Sequence, residues 1–368
     1  MNVKAFCKKN IPISTLVIFC LGVLCGILKL AAVLSTPFAD FYNRHIASVF
    51  RAGLAHLTSL LPFSLAETVV LCAIPLAILF LVWCIVVAAK KNTLTRQIFR
   101  LLGVLVLLLS MFVLTFGIAY DTTPLEDKME LTVTEPTADE LYVSCAKTLI
   151  EILKAEKVIT RSGNGAAPMP YSFDEMVDKL NTAYDTLYEQ YDFLSPLHTK
   201  VKRIALSRPM TYTHLSGMYT FWSGEANVNV NYPDYVIVYT TAHEMAHQRG
   251  IGPEDEANFI AYLACIASED PYIRYCGQAN MLEYLAAALY EADAERYRKE
   301  LLPFYSEGLL AEYAAYAELF APYRDSAASE VSGAVNDAYL KAQGQTEGTK
   351  SYGLVVDLAV AYLKNFEN

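Results

Sequence analysis

His243 and His247, with Glu244 between them, are the residues whose types and spacing could do chemistry. They stand in Thr-Ala-His-Glu-Met-Ala-His-Gln-Arg-Gly, residues 241–250. A helix turns once in about 3.6 residues, so a pair four apart projects from one face. Two imidazoles so placed can hold one Zn²⁺, and Glu244 beside them can take a proton from a water that the metal activates. A catalytic zinc takes three protein ligands, so one more must come from elsewhere. The nearest carboxylates follow in Pro-Glu-Asp-Glu-Ala-Asn, residues 253–258. Glu254 and Asn258 share a helix face, so Glu254 is the preferred third ligand and Asn258 is expected to orient a histidine. Glu256 is the alternative. It points about 160° away from Glu254, so a regular helix presents one or the other.

A hydrolytic site also needs a donor for the developing oxyanion. Tyr352, Tyr219 and His214 are the candidates, with Tyr352 preferred, although a chain with 25 tyrosines uses most of them in packing. Asn227 and Asn229 read either as part of an edge strand that pairs an extended peptide or as a strand-end turn.

The elements that must position these residues follow from the flanking sequence. Residues 211–231 mix glycine with β-formers and alternate near their end, which predicts one or two short strands. Pro233-Asp234 starts the histidine helix, with Asp234 near its cap, and Gly250 and Gly252 stop it. Pro253 fits the first position of the next helix. Upstream, helical periodicity begins at Leu141, and Ser172 with Glu175 predicts a capping box for a second helix running to about Phe193. Downstream, helices are expected over residues 281–300, 309–320, 327–343 and 355–366.

Three apolar runs, about 11–34, 69–89 and 101–119, are each long enough to cross about 30 Å of hydrocarbon. Lys29 near the end of the first can snorkel outward. Lys4, Lys8 and Lys9 before the first run, and Lys90, Lys91, Arg96 and Arg100 between the second and third, belong on one side of the membrane. By the distribution of basic residues that side is the cytoplasm. Residues 37–67 read as an amphipathic helix at the outer surface, carrying His45 and His56 as interfacial residues. The acidic stretch 121–139, rich in Thr and Pro, reads as a linker. Up to Tyr120 there are ten basic residues against two acidic; the rest carries 19 against 37. So acidic a half would repel a phosphate backbone, which excludes nucleic acid as a partner. Outside the apolar half, Cys145, Cys265 and Cys276 allow one disulfide and a free thiol, or three buried thiols.

The histidine motif followed by Glu254-Asp-Glu-Ala-Asn258 resembles the gluzincin metallopeptidases, in which the third ligand is a Glu four residues before an Asp or Asn. That resemblance implies His243, His247 and Glu254 as ligands and Glu244 as general base. Asn258 stands where an Asp is commoner. Over nearly its full length the chain also resembles one bacterial membrane family, domain of unknown function 3810. The likeness rests on the three spans, the His-Glu-Met-Ala-His-Gln-Arg-Gly segment, Glu256-Ala-Asn-Phe259 and Ser351-Tyr-Gly353. That family implies no substrate.

The expected protein is therefore mainly α. A membrane domain (1–120) with three transmembrane helices precedes a mostly helical, zincin-like α+β domain with a small sheet (140–368), outside the plasma membrane. Its expected work is zinc-dependent hydrolysis of a peptide or protein substrate near the outer face of the bilayer. The alternative is a metal-binding membrane sensor or scaffold that cleaves nothing.

Overall fold

The structure, a computed structural model, describes residues 10–91, 93–163, 165–345 and 354–365. The described chain is mostly helical with one small three-stranded sheet. It divides into two compact units. One holds the residues up to Thr122 together with Thr220–Glu225; the other holds Thr123–Tyr219 and everything from Ala226 on.

In the first unit, helices α1 (Ile13–Leu34), α4 (Leu65–Lys91) and α5 (Leu94–Thr115) are long and apolar enough to cross a membrane. Side chains such as Ile13, Val23, Ile74 and Leu79 are exposed along them. In water that would be a large unpartnered apolar surface; in lipid it is the solvated state. Between α1 and α4 run α2 (Thr36–Tyr42), a wide turn (Asn43–Ala47) and α3 (Ser48–Ser59). Lys29 near the end of α1 has two acceptors beyond the end of α5. Its ammonium pairs with Asp121 at 2.6 Å and donates to the Gly117 carbonyl at 2.9 Å, because both acceptors follow α5 where α1 ends. Arg51 is 1% exposed and donates to Asn43 Oδ1 at 2.8 Å and to the Thr115 carbonyl at 3.0 Å. It is thus no surface charge for a topology argument to count.

The same unit includes the turn formed by Thr220–Glu225. The Glu225 carboxylate accepts the N–H groups of Leu65 and Ala66 at 3.0 and 2.7 Å, capping α4. Thr58 donates to the Ser223 carbonyl at 3.2 Å. Gly224 has φ +70° and lies against the Ala55 nitrogen and Leu54, where a Cβ would be 2.7 and 2.8 Å from them. A positive φ and that closeness both require glycine.

In the second unit, α6 (Ala138–Ala155) starts on a full capping box of Thr137 and Glu140. Helix α7 (Phe173–Gln190) starts on Ser172, which accepts the Glu175 N–H at 3.2 Å. Strand β1 (Lys202–Arg203) pairs in parallel with β3 (Glu225–Val228), and β2 (Gly217–Thr220) lies on the other side of β3. The sheet order β1-β3-β2 makes β2 an edge. Next come α8 (Asp234–Gln248), α9 (Glu254–Ala267), α10 (Pro271–Ala292), α11 (Glu307–Phe320), α12 (Ala327–Ala342) and α13 (Leu354–Asn365). Helix α10 packs on α6, α8 and α9 around one large core.

Several expectations change. Asp234 stands next to the cap as expected, the first helical residue after Pro233, but its carboxylate turns away from the helix and accepts the Met169 N–H at 2.8 Å. The helix expected from residue 281 starts ten residues earlier and runs through Gly277, whose missing Cβ makes room for Cys265 of α9. Residues 121–139 hold a helical turn, Leu125–Lys128, and Leu125 is buried. Cys145, Cys265 and Cys276 are buried and free.

Candidate metal centre

Helix α8 carries the two histidines through the core, and only the face bearing His243 and His247 opens toward α9. A tight link, residues 249–253, turns the chain so that the first turn of α9 meets that face. Gly250 supplies the φ of +98° at which α8 ends. His247 Nδ1 contacts the Ile251 carbonyl at 2.8 Å, which fixes the ring and turns Nε2 outward.

The arrangement brings Glu254 to both rings. Its Oε2 lies 3.2 Å from His243 Nε2 and 3.6 Å from His247 Nε2. One donor atom from each residue falls within 4.8 Å of the others, so the three could hold one metal ion. The spacing carries chemical information. Four ligands at about 2.1 Å around a tetrahedral ion are about 3.4 Å apart, and 3.2 and 3.6 Å bracket that edge. Burial pushes the Glu254 carboxyl up, but the two imidazoles hold it well below the carboxylate range. Burial pulls His247 down, yet the Glu254 charge raises it to about 9. Glu254 thus pairs with both imidazoles.

Glu256 is not at this centre. Its carboxylate turns to the opposite side of α9 and accepts the Leu125 N–H at 2.9 Å. There it borders a cavity of about 140 Å³ with Glu126, Asp255 and Asp357. The reason is helical phase: two residues on from Glu254 is the far face.

Glu244 is 4% exposed, and its Oε2 has no hydrogen-bond partner among the described residues. Burial pushes its carboxyl up to about 7, against the pull of the neighbouring histidines. The Tyr219 backbone N–H of β2 donates to this carboxylate. Gly217 of the same strand lies flat on it: a Cβ there would be 2.7 Å from Glu244 Cγ and 2.7 Å from Thr240 Cγ2. Gly217 falls in the glycine-containing stretch 211–231, and nothing local marks its contact with Glu244.

The remaining candidates separate. The Tyr219 ring lies 6.4 Å from the His247 ring. His214, at φ +61°, contacts the Tyr323 carbonyl through Nε2 at 2.8 Å. Tyr352 lies outside the described residues. Asn227 and Asn229 belong to the central strand and its exit rather than the edge. Both are 1% exposed, and their amides donate to the carbonyls of Met218 and Leu215 at 3.2 and 3.1 Å. Asn258 is buried, but it does not hydrogen-bond a histidine; its Nδ2 and His243 Nδ1 are both without partners.

Arg249 is a residue that the sequence reading passed over. It is 2% exposed, stacks 4.0 Å over the Tyr184 ring and donates to the carbonyls of Met245 and Leu197 and to Asn181 Oδ1. It ties the end of the histidine helix to α7 and the segment after it. Burial lowers its pKa to about 10, still fully charged at neutral pH.

Fold and cluster define a mostly helical membrane protein with a compact two-histidine, one-glutamate centre. A family model described as a protein of unknown function, DUF3810, matches residues 42–360, and the chain belongs to that family. No curated protein and no solved structure matches it.

Proposed function

We propose that this protein is a membrane-anchored zinc metallopeptidase of gluzincin-like design. The observation that carries the reading is the convergence of His243, His247 and Glu254 on one point beside a buried Glu244 oxygen that has no partner. The three donors suit zinc by type and spacing. Zinc, when bound, supplies Lewis acidity that polarises a carbonyl and makes water a better nucleophile. The rest of the work belongs to the chain. Glu244, held by the Tyr219 N–H and the flat face of Gly217, takes the proton from the attacking water and passes it to the leaving amine. One peptide C–N bond is broken, giving a carboxylate and an amine. As an outer strand of the small sheet, β2 would pair an extended substrate chain.

With Lys90, Lys91, Arg96 and Arg100 in the cytoplasm, the second unit belongs outside the plasma membrane, where zinc and peptide substrates are met at the bilayer surface.

The test is metal content and turnover of the full-length protein in detergent. Wild type should hold close to one zinc per chain, and His243→Ala should lose it. Glu244→Gln should keep the zinc and lose peptide hydrolysis by at least about 10³-fold. Zinc-free wild type overturns the metal centre. Hydrolysis or cellular function that survives Glu244→Gln overturns the peptidase and leaves the sensor or scaffold.

A further inference from the structure

Two polar contacts join the helices of this centre. Tyr239 and His243 are four residues apart on α8, and Glu254 and Asn258 are four apart on α9. Glu254 Oε2 stands 3.2 Å from His243 Nε2, and the Tyr239 hydroxyl donates to the Asn258 backbone carbonyl at 2.8 Å. Rising numbers on α8 meet falling numbers on α9, so the two helices run antiparallel. The Tyr239 contact therefore lies one helical turn, about 5.4 Å, behind the contact between the ligands.

That hydrogen bond is buried, with Tyr239 and Asn258 5% and 4% exposed. The carbonyl does not depend on it. Asn258 lies inside α9, where the N–H of Tyr262, four residues on, is placed to donate to it. The hydroxyl is an addition between helices, and what it adds is direction. The core that α8 and α9 share is apolar, and Ala242, Ala246, Ala257 and Ala261 bring almost no side chain to interlock. Apolar burial is non-directional, so it resists separation of two helices better than a roll or a slide. A hydrogen bond resists both.

The ligands need such a stop. His247 is fixed from behind by the Ile251 carbonyl, but His243 Nδ1 has no hydrogen-bond partner among the described residues. A slip of one residue moves a side chain of α9 about 1.5 Å along the axis and about 100° round it. A zinc–oxygen bond of about 2.1 Å does not survive that.

We infer that Tyr239 is a positioning residue of the metal centre: its hydroxyl sets the register of α9 on α8 and so carries Glu254 to the two histidines. The inference rests on the metal centre of the reading above and not on its peptidase chemistry.

Zinc affinity tests it without any turnover. Full-length protein in detergent is competed for zinc against a chelator of known affinity, as wild type, Tyr239→Phe, Glu254→Ala and the double variant. Phenylalanine keeps the ring and its packing and removes only the hydroxyl. Tyr239→Phe should weaken zinc binding at least tenfold, as expected when a group that orients a ligand is lost. In the Glu254→Ala background, where no carboxylate is left to place, the same change should alter affinity less than twofold. Cobalt(II) in place of zinc gives a second reading. The visible bands of Tyr239→Phe should lose the intensity of a tetrahedral site and approach those of Glu254→Ala. Equal zinc affinity of wild type and Tyr239→Phe overturns the inference, and so do cobalt bands that Tyr239→Phe leaves unchanged. An equal loss of affinity in both backgrounds overturns it as well, because the hydroxyl would then serve the fold alone. Wild type that binds no zinc sinks the metal centre and this inference together, which tells that failure apart from the others.

Discussion

At the scale of single residues, the centre depends on side chains that touch no metal. Gly217 is the sharpest case. Gly217→Ala would drive a methyl into Glu244 and Thr240, displacing the base while leaving the three ligands in place. The expected result is unchanged zinc content with hydrolysis lowered by about 10² or more, read by metal analysis beside turnover. Arg249→Met removes a buried cation and strands two carbonyls and the Asn181 side chain. It should cost about 2–4 kcal/mol, read as a fall in the thermal midpoint, and Arg249→Lys should not rescue it because an ammonium lacks the planar fork. Titration belongs to this scale too. Glu256 is raised by burial to about 7 when folded, above its unfolded value of about 4.5, so the folded state binds the extra proton. That stabilisation is complete below about pH 4.5 and is lost as pH rises through about 7. The chelated protein should therefore melt at a lower temperature at pH 8 than at pH 6. Glu256→Gln should narrow the gap, to which this carboxyl contributes about 1.4 kcal/mol between pH 6 and pH 8.

At the scale of elements, helix phase and strand order decide what meets what. The histidine pair could be read because i, i+4 spacing is a property of one helix, and the phase of α9 separates Glu254 from Glu256 by arithmetic. The apolar spans and the Ser172 cap are similarly local. Other residues have a meaning set at long range. Asn227 and Asn229 read either as edge-strand residues or as a strand-end turn; β1, two residues long and silent in the sequence, pairs with β3 and makes it central, and Asn229 follows its end, accepting the Asn231 N–H. Gly277 lies inside α10, where its missing Cβ makes room for Cys265. Glu225 is a strand residue, as the alternation predicts, and its side chain also caps a helix that starts 160 positions earlier. Glu225→Ala should expose the first turn of α4 and lower stability by about 1–2 kcal/mol, seen as faster proteolysis near Leu65.

At the scale of the whole molecule, the turn 220–225 belongs to the unit built from the first 122 residues, although a strand of the small sheet lies on each side of it. This sets an order of events during synthesis. The apolar helices leave the ribosome first and enter the bilayer with the N-terminus of α4 uncapped. About a hundred residues later the Glu225 carboxylate arrives, and at 5–20 residues per second the wait is roughly 5–20 s. The strand that presses Gly217 against Glu244 is completed by the same stretch of chain. On the proposed reading, a chain made this way has no finished base before its apolar helices are in place, so a premature, soluble, active form is not on its path to the native state.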